Sequence, residues 1–112
     1  MIYLLVFLLA GPITYEQAYD RSQATGSLVV LIESDNCPAC VVQERNLKIA
    51  EIPYHKTKDS ARFVVGLPNV RPITLFYFRE GKEWRMCLLK GSIDVERIRD
   101  ILRNRTLTRP NT

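Results

Sequence analysis

Ser27-Leu28-Val29-Val30-Leu31-Ile32-Glu33-Ser34-Asp35-Asn36-Cys37-Pro38-Ala39-Cys40 opens as a strand and closes as a helix. Ser27 to Ser34 is a short apolar run rich in β-branched residues, the pattern of a buried strand. Asp35-Asn36 turns the chain. Pro38 suits the first turn of a helix, where its missing N–H leaves nothing unsatisfied. Val41 to Ala50 extends that helix, and Pro53 follows its end. Cys37 therefore stands where the chain leaves a strand and enters a helix, and Cys40 stands one turn further on.

That placement suits thiol chemistry. The thiolate, not the thiol, attacks a disulfide. Free N–H groups and the helix dipole at a helix start favour negative charge and lower a cysteine pKa. Three-residue spacing lets Cys37 act as nucleophile and form a mixed disulfide while Cys40 stays close enough to resolve it. Pro38 keeps the turn rigid. A bare C-x-x-C also makes half a zinc site, but here only His55 and Cys87 remain as further soft ligands, and they form no second close pair. A purely structural disulfide in a binding module is the other alternative.

Working outward, Thr14 followed by Gln17 forms a capping box for a helix that Gly26 stops. Ile52 to Thr57 reads as a short strand. Asp59 caps a brief helix through Val65, closed by Gly66, and Leu67 to Pro72 is a loop. Ile73 to Phe78 is a second strong strand. Glu80-Gly81-Lys82 turns it back into Glu83 to Leu89 as a hairpin. Asp94 caps a last helix with Val95, Ile98, Ile101 and Leu102 on one face. Early alternation of β and α implies parallel pairing through a crossover helix, and the late hairpin adds antiparallel strands. The expected class is α/β, a sandwich of helices around a small mixed sheet.

The chain has 112 residues, room for one domain with a real core. Its composition, 46% hydrophobic and 25% charged, excludes collagen, coiled coil and wholesale disorder. Three cysteines do not make a disulfide scaffold. The net charge of +4 gathers late, in Arg97, Arg99, Arg103, Arg105 and Arg109. No aromatic residues interleave with these arginines, so they read as a solvated face and not as a nucleic-acid platform. Residues 1–11 form an apolar segment, residues 12–103 the folded domain and residues 104–112 a basic polar tail. Met1 to Ala10 is too short to span a bilayer, which takes about 20 residues. It reads as an export signal or short membrane-contacting anchor, although no Lys or Arg precedes it, or else as a buried first strand.

From Thr14 to Leu102 the chain resembles the thioredoxin-like family. The likeness rests on Leu28 to Cys40, on the strand Ile73-Thr-Leu-Phe-Tyr-Phe-Arg-Glu-Gly-Lys, and on Lys90-Gly91 before the last helix. It implies a three-layer sandwich with a four- or five-stranded mixed sheet, and reversible disulfide exchange with protein substrates. It also implies a cis-proline opposite the cysteines, whose backbone pairs with substrate. Pro72 is the matching residue, with Arg71 before it. Aligning Thr74, Phe78 and Gly81 without a gap puts Ile73 at that place instead, so the loop carries either a one-residue shift or a displaced proline. Asn36 stands where the family usually has tryptophan. Leu31 stands where it usually has a buried acid that assists proton transfer, which argues against a standard reductase.

The expected function is thiol–disulfide exchange with protein disulfides or dithiols. The dithiol carries the electrons, so no bound cofactor or metal is expected, but a redox partner must recycle the pair. An export signal would place the domain outside the cytoplasm, periplasmic or secreted, and a first strand would leave it cytoplasmic. Arg71, beside the sulfurs, would favour the Cys37 thiolate and acidic substrates, or else point to water. Cys87 reads as core packing, His55 as structural, and Trp84 and Tyr77 as sheet residues.

Overall fold

The computed structural model describes residues 11–58, 66 and 69–104. The reading of residues 1–10 as signal, anchor or strand, the brief helix at 59–65, and the tail beyond Asn104 lie outside these residues. The elements are β1 (Gly11–Pro12), α1 (Tyr15–Thr25), β2 (Ser27–Ile32), α2 (Pro38–Ile49), β3 (Pro53–Thr57), β4 (Ile73–Glu80), β5 (Glu83–Lys90) and α3 (Val95–Asn104). The five strands form one sheet in the order β1-β3-β2-β4-β5. Pairing is parallel for β1–β3 and β2–β3, and antiparallel for β2–β4 and β4–β5. The mixed sheet follows from the connections. A helix separates β2 from β3 and returns the chain in the same direction, whereas Gly81-Lys82 reverses it between β4 and β5.

Local chemistry explains the helix ends. Thr14 Oγ1 accepts from the Gln17 N–H at 3.1 Å, and Gln17 Oε1 accepts from the Thr14 N–H at 2.9 Å. This capping box satisfies two donors that the first turn leaves open. Gly26 closes α1 at φ 79°, a left-handed conformation that glycine adopts without steric cost. Asp94 Oδ1 accepts from the Arg97 N–H at 2.8 Å and starts α3.

The sheet separates two apolar clusters by the two-residue alternation of its strands. On one face Val29, Leu31, Phe76 and Phe78 meet Leu47 of α2 and Ile98 and Ile101 of α3. On the other, Val30, Ile32, Ile73 and Leu75 form a second cluster with half-buried Leu28, Tyr77 and Leu88. Helix α1 flanks that second face, where Tyr15 and Tyr19 share a cavity of about 220 Å³ with Leu28, Tyr77 and Trp84. Helices thus lie on both sides of the sheet, three of them among the described residues.

Several boundaries differ from the sequence reading. Strand β2 stops at Ile32, although the Glu33 N–H still bonds the Thr57 carbonyl at 3.0 Å. Both hairpin strands run longer than expected, to Glu80 and Lys90. Cys87 is half-buried and not in the core, because β5 is an edge strand covered only in part. His55 is structural: its Nδ1 lies 3.2 Å from the Ile13 carbonyl and its ring meets Tyr15 edge-on.

Candidate functional site

The C-terminal end of β2 delivers the chain to the site. Glu33, Ser34 and Asp35 leave the sheet, and Asn36 turns the backbone at φ 52°. Asparagine tolerates that left-handed conformation better than most side chains, and a bulky residue there would be strained. Cys37 is then the N-cap of α2, with extended backbone, and Pro38 takes the first helical turn.

Cys37 and Cys40 are joined in a disulfide, with Cα atoms 5.2 Å apart. The Cys37 sulfur accepts the Cys40 backbone N–H at 3.1 Å. Cys37 is half-buried, while Cys40 is 2% exposed and lies on the inner side of the helix with Gln43 and Leu47. The two sulfurs are therefore unequal: one faces the surface and the open N–H groups of the helix, and the other faces the core.

The Arg71–Pro72 loop completes the site from the sheet side. The Arg71–Pro72 peptide bond is cis. The Arg71 carbonyl oxygen lies 3.7 Å from the Cys37 sulfur. The Arg71 guanidinium donates through Nη1 to the Val70 carbonyl at 2.8 Å. The Pro72 ring is fully buried, and its carbonyl accepts the Gly91 N–H at 2.8 Å. Ile73, where the gapless alignment would put that proline, follows the cis bond directly, and alternation along β4 buries its side chain completely among Val30, Ile32 and Leu75.

Charge near the disulfide is local and exposed. Asp35 pairs with Lys58 across the site rim. The Asp35 carboxylate in turn holds the Lys58 ammonium above its ordinary pKa. An open depression of about 600 Å³ runs over the sulfurs, lined by Glu33, Asp35, Asn36, Pro38, Val41 and Lys58. Val41, 67% exposed, puts apolar surface in its lining, and Val70, 45% exposed, precedes Arg71, whose carbonyl approaches the Cys37 sulfur. The sequence reading missed both valines; an apolar residue at an outward helix position was the available signal for Val41. Among the described residues no group of three His, Cys, Asp or Glu side chains converges as a metal site would require.

No family model matches the chain, and no curated protein matches it significantly. Its structure is similar to the crystal structure of chloroplastic thioredoxin z, with a TM-score of 0.62 at 14% sequence identity, over 85% of this chain and 92% of that one. The protein has a thioredoxin-like fold. That fold, with a C-x-x-C pair closed as a disulfide at a helix start, supports a redox-type function.

Proposed function

We propose that the protein is a thiol–disulfide oxidoreductase that exchanges disulfides with protein substrates through Cys37 and Cys40. The observation that carries this reading is the asymmetry of the pair: an outward Cys37 sulfur at the helix N-cap, receiving a backbone N–H, and a buried Cys40 behind it. On reduction, the N–H and the helix dipole favour the Cys37 thiolate. That thiolate attacks one sulfur of a substrate disulfide. A Cys37–substrate S–S bond forms, and the other substrate sulfur leaves as a thiolate. Cys40 loses its proton to water and attacks the Cys37 sulfur. The intramolecular disulfide closes, and the second substrate thiolate departs. Two electrons pass from the pair to the substrate, and the reverse sequence oxidises a dithiol. The pair needs no bound cofactor, but a second redox protein must reset it.

Substrate would lie across the open depression, against Val41 and Val70, with its backbone beside Arg71 and Pro72. The apolar Met1–Ala10 run supports an extracytoplasmic setting, where such a pair would form, isomerise or reduce disulfides. A redox titration of the Cys37–Cys40 pair tests the assignment. A reversible two-electron couple within roughly −120 to −270 mV is expected, and its position separates oxidant from reductant. A pair that stays closed below about −300 mV would be a structural disulfide and would overturn the proposal. A second reading, a partner-binding module without turnover, is favoured by Leu31, which fills with apolar core the position where the resemblance implies a proton-transferring acid.

A further inference from the structure

Among the described residues three polar side chains are buried: Ser22, Gln43 and Thr74. Ser22 spends its hydroxyl on the Tyr19 carbonyl of its own helix. Gln43 and Thr74 instead bond to each other, Gln43 Nε2 donating to Thr74 Oγ1 at 2.9 Å. Both are fully buried.

Their positions are specific. Gln43 follows Cys40 by one turn on the inner side of α2. Thr74 follows Pro72 by two residues in β4 and pairs across the sheet with buried Leu31. The other end of the Gln43 amide is used as well, its Oε1 accepting the Ile93 N–H at 2.6 Å. The Ile93 carbonyl accepts Asn46 Nδ2 at 2.9 Å, and Gly91 in the same loop donates to the Pro72 carbonyl at 2.8 Å. The helix carrying Cys40, the strand leaving Pro72 and the loop entering α3 are thus closed into one ring of hydrogen bonds. A Leu–Val pair of similar volume would fill this space without desolvating four polar groups, and would accept many relative heights of helix and strand. Directional bonds in apolar surroundings accept few.

We propose that Gln43 and Thr74 are positioning residues for the resolving half of the exchange. The inference rests on the exchange reading above. The pair fixes the height of Cys40 against the Pro72 strand. With Cys37 held in a mixed disulfide, the Cys40 thiolate then meets the Cys37 sulfur in line with the bond that breaks. A new Cys37–Cys40 bond forms, and the substrate sulfur leaves with the electron pair. The first attack, made by the outward Cys37, does not depend on that height.

An aromatic disulfide, 5,5′-dithiobis(2-nitrobenzoate), separates the two halves. Against reduced protein carrying Cys87→Ala, it releases one coloured thiolate as the mixed disulfide forms and a second as Cys40 resolves it. Thr74→Val is expected to leave the first release unchanged and slow the second about tenfold, the loss of one buried hydrogen bond from the geometry of reaction. Thr74→Ser is expected to restore the second release. Thr74→Ala reads the same loss if the valine does not fold. A second release at the parental rate in a folded Thr74→Val or Thr74→Ala protein overturns the positioning role, as does equal slowing of both releases. No second release from the Thr74 parent overturns the exchange reading itself, and this inference with it.

Discussion

Tyr54 Oη donates a 2.6 Å hydrogen bond to Glu44 Oε2, which ties β3 to the middle of α2. The tyrosine is wholly buried. The glutamate also receives Lys56 Nζ at 3.1 Å and stands 3.9 Å from Lys48 Nζ. The helix that presents the cysteines is therefore fastened to the sheet at its middle, by Gln43 inside and by Glu44 at the margin.

This pair makes stability depend on pH at both extremes. Burial works against the charged Glu44, but Tyr54, Lys56 and Lys48 together outweigh it and hold the carboxyl below its ordinary pKa. Burial first, and Glu44 next, push the Tyr54 phenol well above its own. A depressed carboxyl contributes stability above its unfolded pKa of about 4.3, and that contribution is lost as pH falls through the folded value. A raised phenol contributes below about pH 10 and is lost as pH rises beyond it. Urea unfolding across pH should show both limbs. Tyr54→Phe is expected to cost about 1 to 2 kcal/mol at pH 7 and to shrink the alkaline limb, to which Tyr77 and Cys87, both raised by burial, also contribute. Glu44→Gln should flatten the acid limb. An unchanged acid limb in Glu44→Gln would place the acid sensitivity elsewhere.

Cys37 and Cys40 should differ in kind when replaced. Cys40→Ser leaves an outward nucleophile with nothing behind it, so incubation with a protein disulfide is expected to accumulate a one-to-one mixed disulfide, seen by mass and cleaved by dithiothreitol. Cys37→Ser removes the accessible sulfur and should give no adduct. If the pair exchanges disulfides as proposed, turnover in disulfide reduction is expected to fall to background in both. Adducts of equal yield would mean that burial does not separate the two sulfurs.

The parts of this fold that were legible in the sequence are those whose cause is local. The run from Ser27 to Cys40 carries strand, turn and helix start in consecutive residues. Thr14 with Gln17, and Asp94 before its helix, declare helix starts because the cap and its donor lie within three residues. What was not legible depends on distant partners. Strand β1 is two residues long and is held through backbone bonds to Ile52 and Tyr54, which leave no side-chain pattern. Pro53–Thr57 carries Pro, His and Lys and reads weakly as a strand, yet it pairs on both sides because β1 and β2 flank it. That the Ile73 side chain is buried could not be read without knowing that Ile32 lies opposite it. Gln43 and Thr74 are unremarkable singly, and their bond spans 31 positions.

Cys87 should be the slow thiol of the three. Burial raises its pKa; the Leu88 backbone and the charges of Arg97 and Arg85 offset this only in part. Fewer thiolates at neutral pH, and a half-buried sulfur, both slow alkylation. In fully reduced protein, iodoacetamide at pH 7 is expected to label Cys37 first and Cys87 well after it, as read by peptide mass. Raising the pH should narrow the gap, because Cys87 then ionises. Faster labelling at Cys87 would show that β5 opens more readily than its pairing with β4 implies.

Leu31 offers the sharpest test of what the core will accept. Its side chain is fully buried in the cluster with Leu47 and Phe76, and Thr74 lies opposite it. Leu31→Asp puts a carboxyl among apolar groups, which raises its pKa by desolvation. In a group so raised, the folded form retains the proton that the unfolded chain releases above about pH 4. The deficit relative to Leu31 therefore grows with pH, by up to about 1.4 kcal/mol per unit, until the folded pKa is reached. At low pH the variant should lose little more than Leu31→Asn, which never ionises. By pH 7 it should lose several kcal/mol more, within reach of the whole stability of a small domain. Denaturant unfolding of both variants at pH 4 and pH 7 measures the difference. A gap that does not widen with pH would mean that water or a cation reaches position 31, and that the core around Leu47 and Phe76 is wetter than its packing indicates.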